Sequence, residues 1–279
     1  MTSTISSRGA AIVTGAAQGI GRAIALRLGQ DGFDVAINDL DSNTKALECL
    51  AEEIRCQGRK VAIITADVAQ EKEVQALVDQ TVEELGELYI MVANAGIAYP
   101  TGPIIDLPLQ AWERYLSINL TGVFLCYRTA ARQMLKQGHG GRIIGASSAY
   151  GKRGAPGATA YSTTKFGVRG LTQGLASELA KEGITVNAYA PGFIDTPLCK
   201  HALMLTPSCW CRSLRLTNAC FELTRCSSDL FLTQMRDSAP MQRLGTCENV
   251  AALVSYLVSD EADFMTGQSV SINGGLFYD

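Results

Sequence analysis

Two periodicities alternate along most of this chain, and the alternation limits its fold more tightly than any other feature. Short β-rich runs occur at residues 10–14, 34–38, 60–65, 88–93, 142–146 and 184–189. Between them lie longer stretches whose apolar residues fall three and four apart, as in Ile20, Ile24 and Leu28, or in Val74, Leu77, Val78, Val82 and Leu85. Strands of this length separated by helices of about ten residues or more are the mark of βαβ units. The runs are apolar throughout, which suits a mostly parallel sheet covered on both faces. Right-handed crossovers then give one doubly wound α/β domain over residues 1–279, with helices on both faces and ligands beyond the carboxyl ends of the strands. A helix over about 158–180, another around 248–257 and a last strand near 269–272 complete the prediction.

Composition excludes several functions. The chain has 279 residues, 47% of them hydrophobic and 18% charged, enough to build a large core. Its 24 basic and 27 acidic residues form no basic stripe, so neither nucleic acid nor an anionic membrane is an expected partner. No apolar run reaches the roughly 18 residues of a membrane span. Residues 1–8 are polar and lack a secretory pattern, so a soluble cytoplasmic protein is expected. Nine cysteines, an odd number with no C-x-x-C, argue against a disulfide framework and a zinc ribbon. With only His139 and His201 as histidines, no metal site is expected, and the cysteines read as free thiols.

One stretch breaks the rhythm. Residues 198–228 carry one acid, Glu222, against Lys200, Arg212, Arg215 and Arg225, and hold five of the nine cysteines. No helical or strand period runs through them. Residues 198–240 are therefore read as an irregular insertion forming a substrate lid. The cysteine density and lost periodicity are also what intron-derived or frame-shifted sequence would give.

The first run leads directly into Gly15-Ala16-Ala17-Gln18-Gly19-Ile20-Gly21 and then a helix. Glycines at such a turn let backbone approach a phosphate closely, and the helix N-terminus favours an anion. As an isolated motif, it reads equally well as a plain structural turn. Asp39, 18 residues beyond Gly21, stands where an acid accepts hydrogen bonds from an adenosine ribose and repels a 2′-phosphate. The stretch Asn38-Asp39-Leu40-Asp41 has no cation to receive that phosphate, so NAD is expected over NADP; a solvated acid in a turn is the alternative. Asp67 and Val68 close the third run and Asn94-Ala95-Gly96 the fourth, on the edge where adenine and its ribose would rest. Asn94 has a second reading, as a helix cap or a pin between strands.

Of nine tyrosines, only Tyr161 has a lysine four residues on, Lys165. Helical spacing puts both on one face, beside the fifth strand's end at Ala146-Ser147-Ser148. A cation near a phenol lowers its pKa from about 10, so Tyr161 is expected to exchange protons near neutrality, with Ser148 donating to a substrate oxygen.

Thr14-Gly15-x-x-x-Gly19-Ile20-Gly21, Asn94-Ala95-Gly96, Asn119, Ser148, Tyr161-x-x-x-Lys165 and Pro191-Gly192 together resemble the short-chain dehydrogenase/reductase family. The resemblance implies an NAD(P)-dependent oxidoreductase built on one Rossmann domain, usually a homotetramer. It assigns Tyr161 as acid/base, with Lys165 lowering its pKa and holding the nicotinamide ribose. Ser148 becomes the substrate-oxygen donor and Asn119 the helix position that holds a proton-relay water; by itself Asn119 reads as an interior polar residue. Gln18 falls within the phosphate turn, and after Pro191-Gly192 the residues Ile194 and Thr196 match the stretch touching the nicotinamide amide. Three further segments, 138–141, 166–173 and 265–269, are similar to diacetyl/acetoin reductases, also called butanediol dehydrogenases. These imply a small ketone or diol substrate. A polyol or sugar dehydrogenase is the second reading within the enzyme class, and a catalytically silent nucleotide-binding protein with a disrupted lid is the alternative outside it.

Overall fold

A computed structural model describes residues 7–98, 102–197, 233 and 236–278. Its centre is a seven-stranded, wholly parallel sheet: β1 (Ala10–Thr14), β2 (Asp34–Asp39), β3 (Val61–Thr65), β4 (Leu88–Ala93), β5 (Gly141–Ala146), β6 (Ile184–Pro191) and β7 (Ser269–Ile272), in the order 3-2-1-4-5-6-7. The order reverses between β1 and β4, and at such a switch point the crossovers leave on opposite faces and open a crevice.

The longer helices among the described residues are α1 (Gly19–Gln30), α2 (Thr44–Cys56), α3 (Glu71–Leu85), α4 (Leu109–Leu116), α5 (Gly122–Gln137), α6 (Thr159–Leu179) and α7 (Cys247–Val258). Successive residues of each strand feed opposite faces. Val13, Val35, Ile37, Val92 and Ile144 join one core with Ile24 and Leu28 of α1, Leu50 and Ile54 of α2, and Val250 and Val254 of α7. Ile12, Ala36, Met91 and Ile143 join the other with Leu77 of α3, Met134 of α5 and Val168 of α6. Both faces of β1 are thus dry, which explains why AAIVT carries no alternation. Each fully buried Ile or Leu contributes about 1.5–3 kcal/mol.

The predicted strands and helices are found, most within a residue of their expected ends and two strands running further. β2 runs on to include Asp39, which pairs with Thr65, and β6 runs on to Pro191, which pairs with Ile272. Both extensions lengthen the carboxyl edge. Between α4 and α5 the chain forms a π-helical turn, Ser117–Thr121. α7 starts with a capping box: Thr246 Oγ1 accepts from the Asn249 N–H, and Asn249 Oδ1 from the Thr246 N–H.

Of the expected insertion at 198–240, residues 198–232, 234 and 235 lie outside the described residues; residues 233 and 236–238 are helical and Ala239 is buried. Among the described residues, no helix is long and apolar enough to cross a membrane, and no cluster of metal-ligating side chains occurs. Cys49, Cys56, Cys126 and Cys247 are free thiols; the other five cysteines lie outside the described residues.

Candidate active site

The carboxyl edge of the sheet opens into one cleft. Its lining includes Gly15, Gln18, Gly19, Ile20 and Gly21 of the glycine turn, Asp39, Asp67, Val68, Asn94, Tyr161, Lys165, Pro191 and Thr196. Most of the site residues expected from the sequence are thereby brought together.

At the phosphate turn the glycines are sterically required. Gly15 has φ +65°, and a Cβ there would lie 2.9 Å from the Ala95 Cα; a Cβ on Gly21 would overlap the Gly15 carbonyl oxygen. The first turn of α1 contains no acid, and Gln18 gives it no side-chain cap, so its N–H groups remain available to an anion. Asn94 fulfils the bracing alternative: its Nδ2 donates to the carbonyls of Thr14 (2.8 Å) and Gly15 (3.1 Å), tying β4 to the end of β1. Thr14 Oγ1 returns the tie by accepting the N–H groups of Asn94 and Ala95, both at 3.0 Å.

Asp39 also organises backbone. Its Oδ2 accepts the Ala17 N–H at 3.0 Å, and its Oδ1 accepts the Leu40 N–H at 2.9 Å and Asn43 Nδ2 at 2.7 Å. A carboxylate has about four acceptor positions, so one on Oδ2 stays free for a hydroxyl. Its neighbours on the lining, Asn38, Leu40, Ala66, Asp67 and Val68, include no cation. Asp67 Oδ1 accepts the Ala69 N–H at 2.9 Å, closing the turn after β3.

At the opposite end, β5 delivers Ser147 and Ser148 to the first turns of α6. Ser147 Oγ is committed to the carbonyl of Lys165 at 3.1 Å. Ser148 Oγ accepts the Tyr150 N–H at 3.1 Å and is hydrogen-bonded to the Tyr161 hydroxyl. The Tyr161 ring is held edge-on between Tyr115 and Tyr150, with centroids 6.5 Å away on each side. Lys165 Nζ lies 5.5 Å from the Tyr161 ring centroid and donates to the Ala146 carbonyl at 2.7 Å.

The electrostatics correct the expectation from sequence. Burial pushes the Tyr161 phenol above its ordinary value, opposed by the Ser148 hydrogen bond. Burial also pushes Lys165 itself down to about 8. Desolvation is thus the larger effect on the phenol, which keeps its proton at neutral pH.

Asn119 lies fully buried in the π turn. Its Oδ1 accepts the Ile97 N–H and its Nδ2 donates to the Ile97 carbonyl, both at 2.8 Å, so the side chain is used in anchoring the loop after β4. Gly192 and Ile194 are absent from the cleft lining. Gly192 donates its N–H to the Ile272 carbonyl, and a Cβ there would lie 2.8 Å from the Asn273 Cα; Ile194 packs in the core and bridges to Gly245. Tyr189 of β6 lines the cleft and was not singled out from the sequence, where it is one more residue of a buried strand.

Comparison with known proteins agrees with this geometry. The short chain dehydrogenase family profile matches residues 9–203, and that of the Enoyl-(Acyl carrier protein) reductase family matches residues 219–277. A short-chain dehydrogenase/reductase of Armillaria gallica is 44% identical over the whole of both chains. The 3-oxoacyl-(acyl-carrier-protein) reductase FabG of Staphylococcus aureus is 39% identical over 96% of this chain and 97% of its own. Among solved structures, acetoin dehydrogenase YohF from Salmonella typhimurium matches with a TM-score of 0.80 at 33% identity, covering 97% of this chain and 96% of that one. A short-chain type dehydrogenase/reductase from Mycobacterium marinum matches with a TM-score of 0.83 at 33% identity and the same coverage.

Proposed function

The chain belongs to the short-chain dehydrogenase/reductase family, and from that premise we propose that it is an NAD(H)-dependent enzyme interconverting a small secondary alcohol and its ketone, with diacetyl, acetoin or butanediol as the substrate class. The observation that carries this reading is that Tyr161 and Lys165 line the cleft that also contains the glycine turn, with Ser148 hydrogen-bonded to the Tyr161 hydroxyl behind them. The likeness to acetoin dehydrogenase YohF supports the substrate class. Asp39, with no cation beside it on the lining, supports NAD as cofactor.

The residues present fit such a dinucleotide. Side chains at Gly15 and Gly21 would collide with Asn94, Ala95 and the Gly15 carbonyl and so break the turn, the open N–H groups of α1 suit the diphosphate, and the free acceptor of Asp39 suits the adenosine ribose. When bound, the cofactor supplies or receives a hydride at the substrate carbon. In the reducing direction Tyr161 gives its proton to the carbonyl oxygen, and in the oxidising direction it takes that proton back. Ser148 donates a hydrogen bond to the same oxygen. Lys165 holds the nicotinamide ribose, and its charge favours any phenolate that forms. Asn119 orders the π turn, from which the main chain holds the relay water. Gly192 and Ile194 act from behind the wall, by setting the course of the chain into Thr196. The exposed faces of α5 and α6, with Phe124 and Phe166, are the contact through which a homotetramer assembles.

Reduction of a 3-oxoacyl thioester is the second reading, favoured by the 39% identity with FabG. Following NADH loss with diacetyl, acetoin, a ketose or a 3-oxoacyl thioester separates the substrate classes. Tyr161→Phe lowers turnover at least about 100-fold while NADH affinity stays within about twofold. Unchanged turnover would refute the role given to the phenol.

A further inference from the structure

Tyr189 lies on β6, 1% exposed, and its hydroxyl donates to Asn94 Oδ1 at 2.7 Å. Asn94 then has both protons of Nδ2 directed at the carbonyls of Thr14 and Gly15. A side-chain amide is nearly symmetrical in shape, so only its hydrogen-bond partners decide which end is oxygen. A donor on one side and two carbonyl acceptors on the other fix that choice here. The hydroxyl is a permanent donor, since burial and the nearby Tyr161 and Tyr127 hold it well above its ordinary pKa.

We propose that Tyr189 is a positioning residue for the phosphate turn: its hydroxyl orients the Asn94 amide, and that amide holds the Thr14 and Gly15 carbonyls so that the turn presents its N–H groups to a dinucleotide. Gly15 and Gly21 are packed against the same Nδ2, which lies 3.0 Å from where a Gly15 Cβ would be and closer still to that of Gly21. A flipped or displaced amide is therefore felt by both glycines at once. The network spans the switch point, joining β6 through β4 to the end of β1. It rests on the dinucleotide reading for its purpose, but its mechanical content does not.

Tyr189→Phe removes one oxygen and leaves Asn94 Oδ1, on a half-buried side chain at the cleft wall, without its donor. Two measurements test the consequence. Hydrogen exchange in peptides covering residues 14–21 becomes about 5–30-fold faster, while peptides from α2 and α7 keep their rates. NADH titration by fluorescence gives a dissociation constant raised by a similar factor, with the loss falling on the KM for NADH more than on kcat. Asn94→Asp, which keeps the size but loses the Nδ2 donor, moves both quantities in the same direction. Unchanged exchange at 14–21, or faster exchange spread evenly over the molecule, would overturn the proposal. Wild-type protein that binds no nicotinamide dinucleotide would instead overturn the functional reading, leaving the exchange result to decide the role of Tyr189.

Discussion

Asp34, at the amino end of β2, and Lys165, at the carboxyl edge of the same sheet, are both at most 3% exposed. Asp34 receives the Arg59 guanidinium through two hydrogen bonds, at 3.0 and 2.7 Å, and the Lys60 N–H at 2.9 Å. Lys165 donates instead to a neutral carbonyl, that of Ala146, and burial pushes its ammonium down to about 8. The amino edge matches its buried charge with an opposite one, which holds chain segments together. The carboxyl edge keeps a desolvated cation beside a desolvated phenol. A group retained against its own desolvation marks chemistry, whereas a paired one marks architecture.

The strongest way to break this contrast is Lys165→Met. Turnover is expected to fall at least about 100-fold, and a pH dependence of stability is expected to vanish with it. The folded-state pKa of Lys165, about 8, lies below the 10.5 of a free lysine, so folding disfavours the ammonium. Wild-type stability therefore rises with pH between about 8 and 10.5, by up to about 3 kcal/mol. Urea unfolding across that window shows a slope in the wild type and a smaller one in the variant; equal slopes would dissolve the distinction.

Arg59→Ala tests the other edge. Asp34 would keep the Lys60 N–H but lose its cation, at an expected cost of about 3–5 kcal/mol in unfolding free energy. The folded fraction should still bind NADH with wild-type affinity. A stability change near zero would mean that the amino edge does not depend on its pair. The smallest effect is expected inside the cleft itself: Asp39→Asn should shift the ratio of NADH to NADPH affinity about tenfold toward NADPH, the value of one charged hydrogen bond. Parallel titrations with both dinucleotides sharpen the contrast by separating the role of Asp39 in binding from its role in holding Ala17.

The legible parts of the fold are those set by local pattern. Apolar runs such as AAIVT announce strands dry on both faces, and the four-residue step from Tyr161 to Lys165 announces a shared helical face. The strand ends were less legible, because Asp39 and Pro191 become strand only by pairing with Thr65 and Ile272. Tyr189 was hidden for the same reason: its partner Asn94 is 95 positions away, and an apolar strand gives no hint of a committed hydroxyl. The direction of the Tyr161 shift is not legible in the sequence, because charge can be read from residue types, whereas desolvation depends on everything packed around the ring. The pairings of Gly192 with Ile272 of β7 and of Ile194 with Gly245 are equally hidden in the sequence, because both join segments far apart along the chain.

The wide turn at Ser117–Thr121 sets the rotational phase of everything that follows it. An ordinary helix advances about 100° per residue, whereas the wide turn closes its hydrogen bonds one residue further along, so it takes up an extra residue without swinging the sixteen residues of α5. Cys126, Tyr127 and Met134 therefore stay in the core, and Gly122, whose missing Cβ makes room for Val68, keeps facing it. One surplus residue thus works as an indexing tooth, keeping a long rod in step with the sheet beneath it.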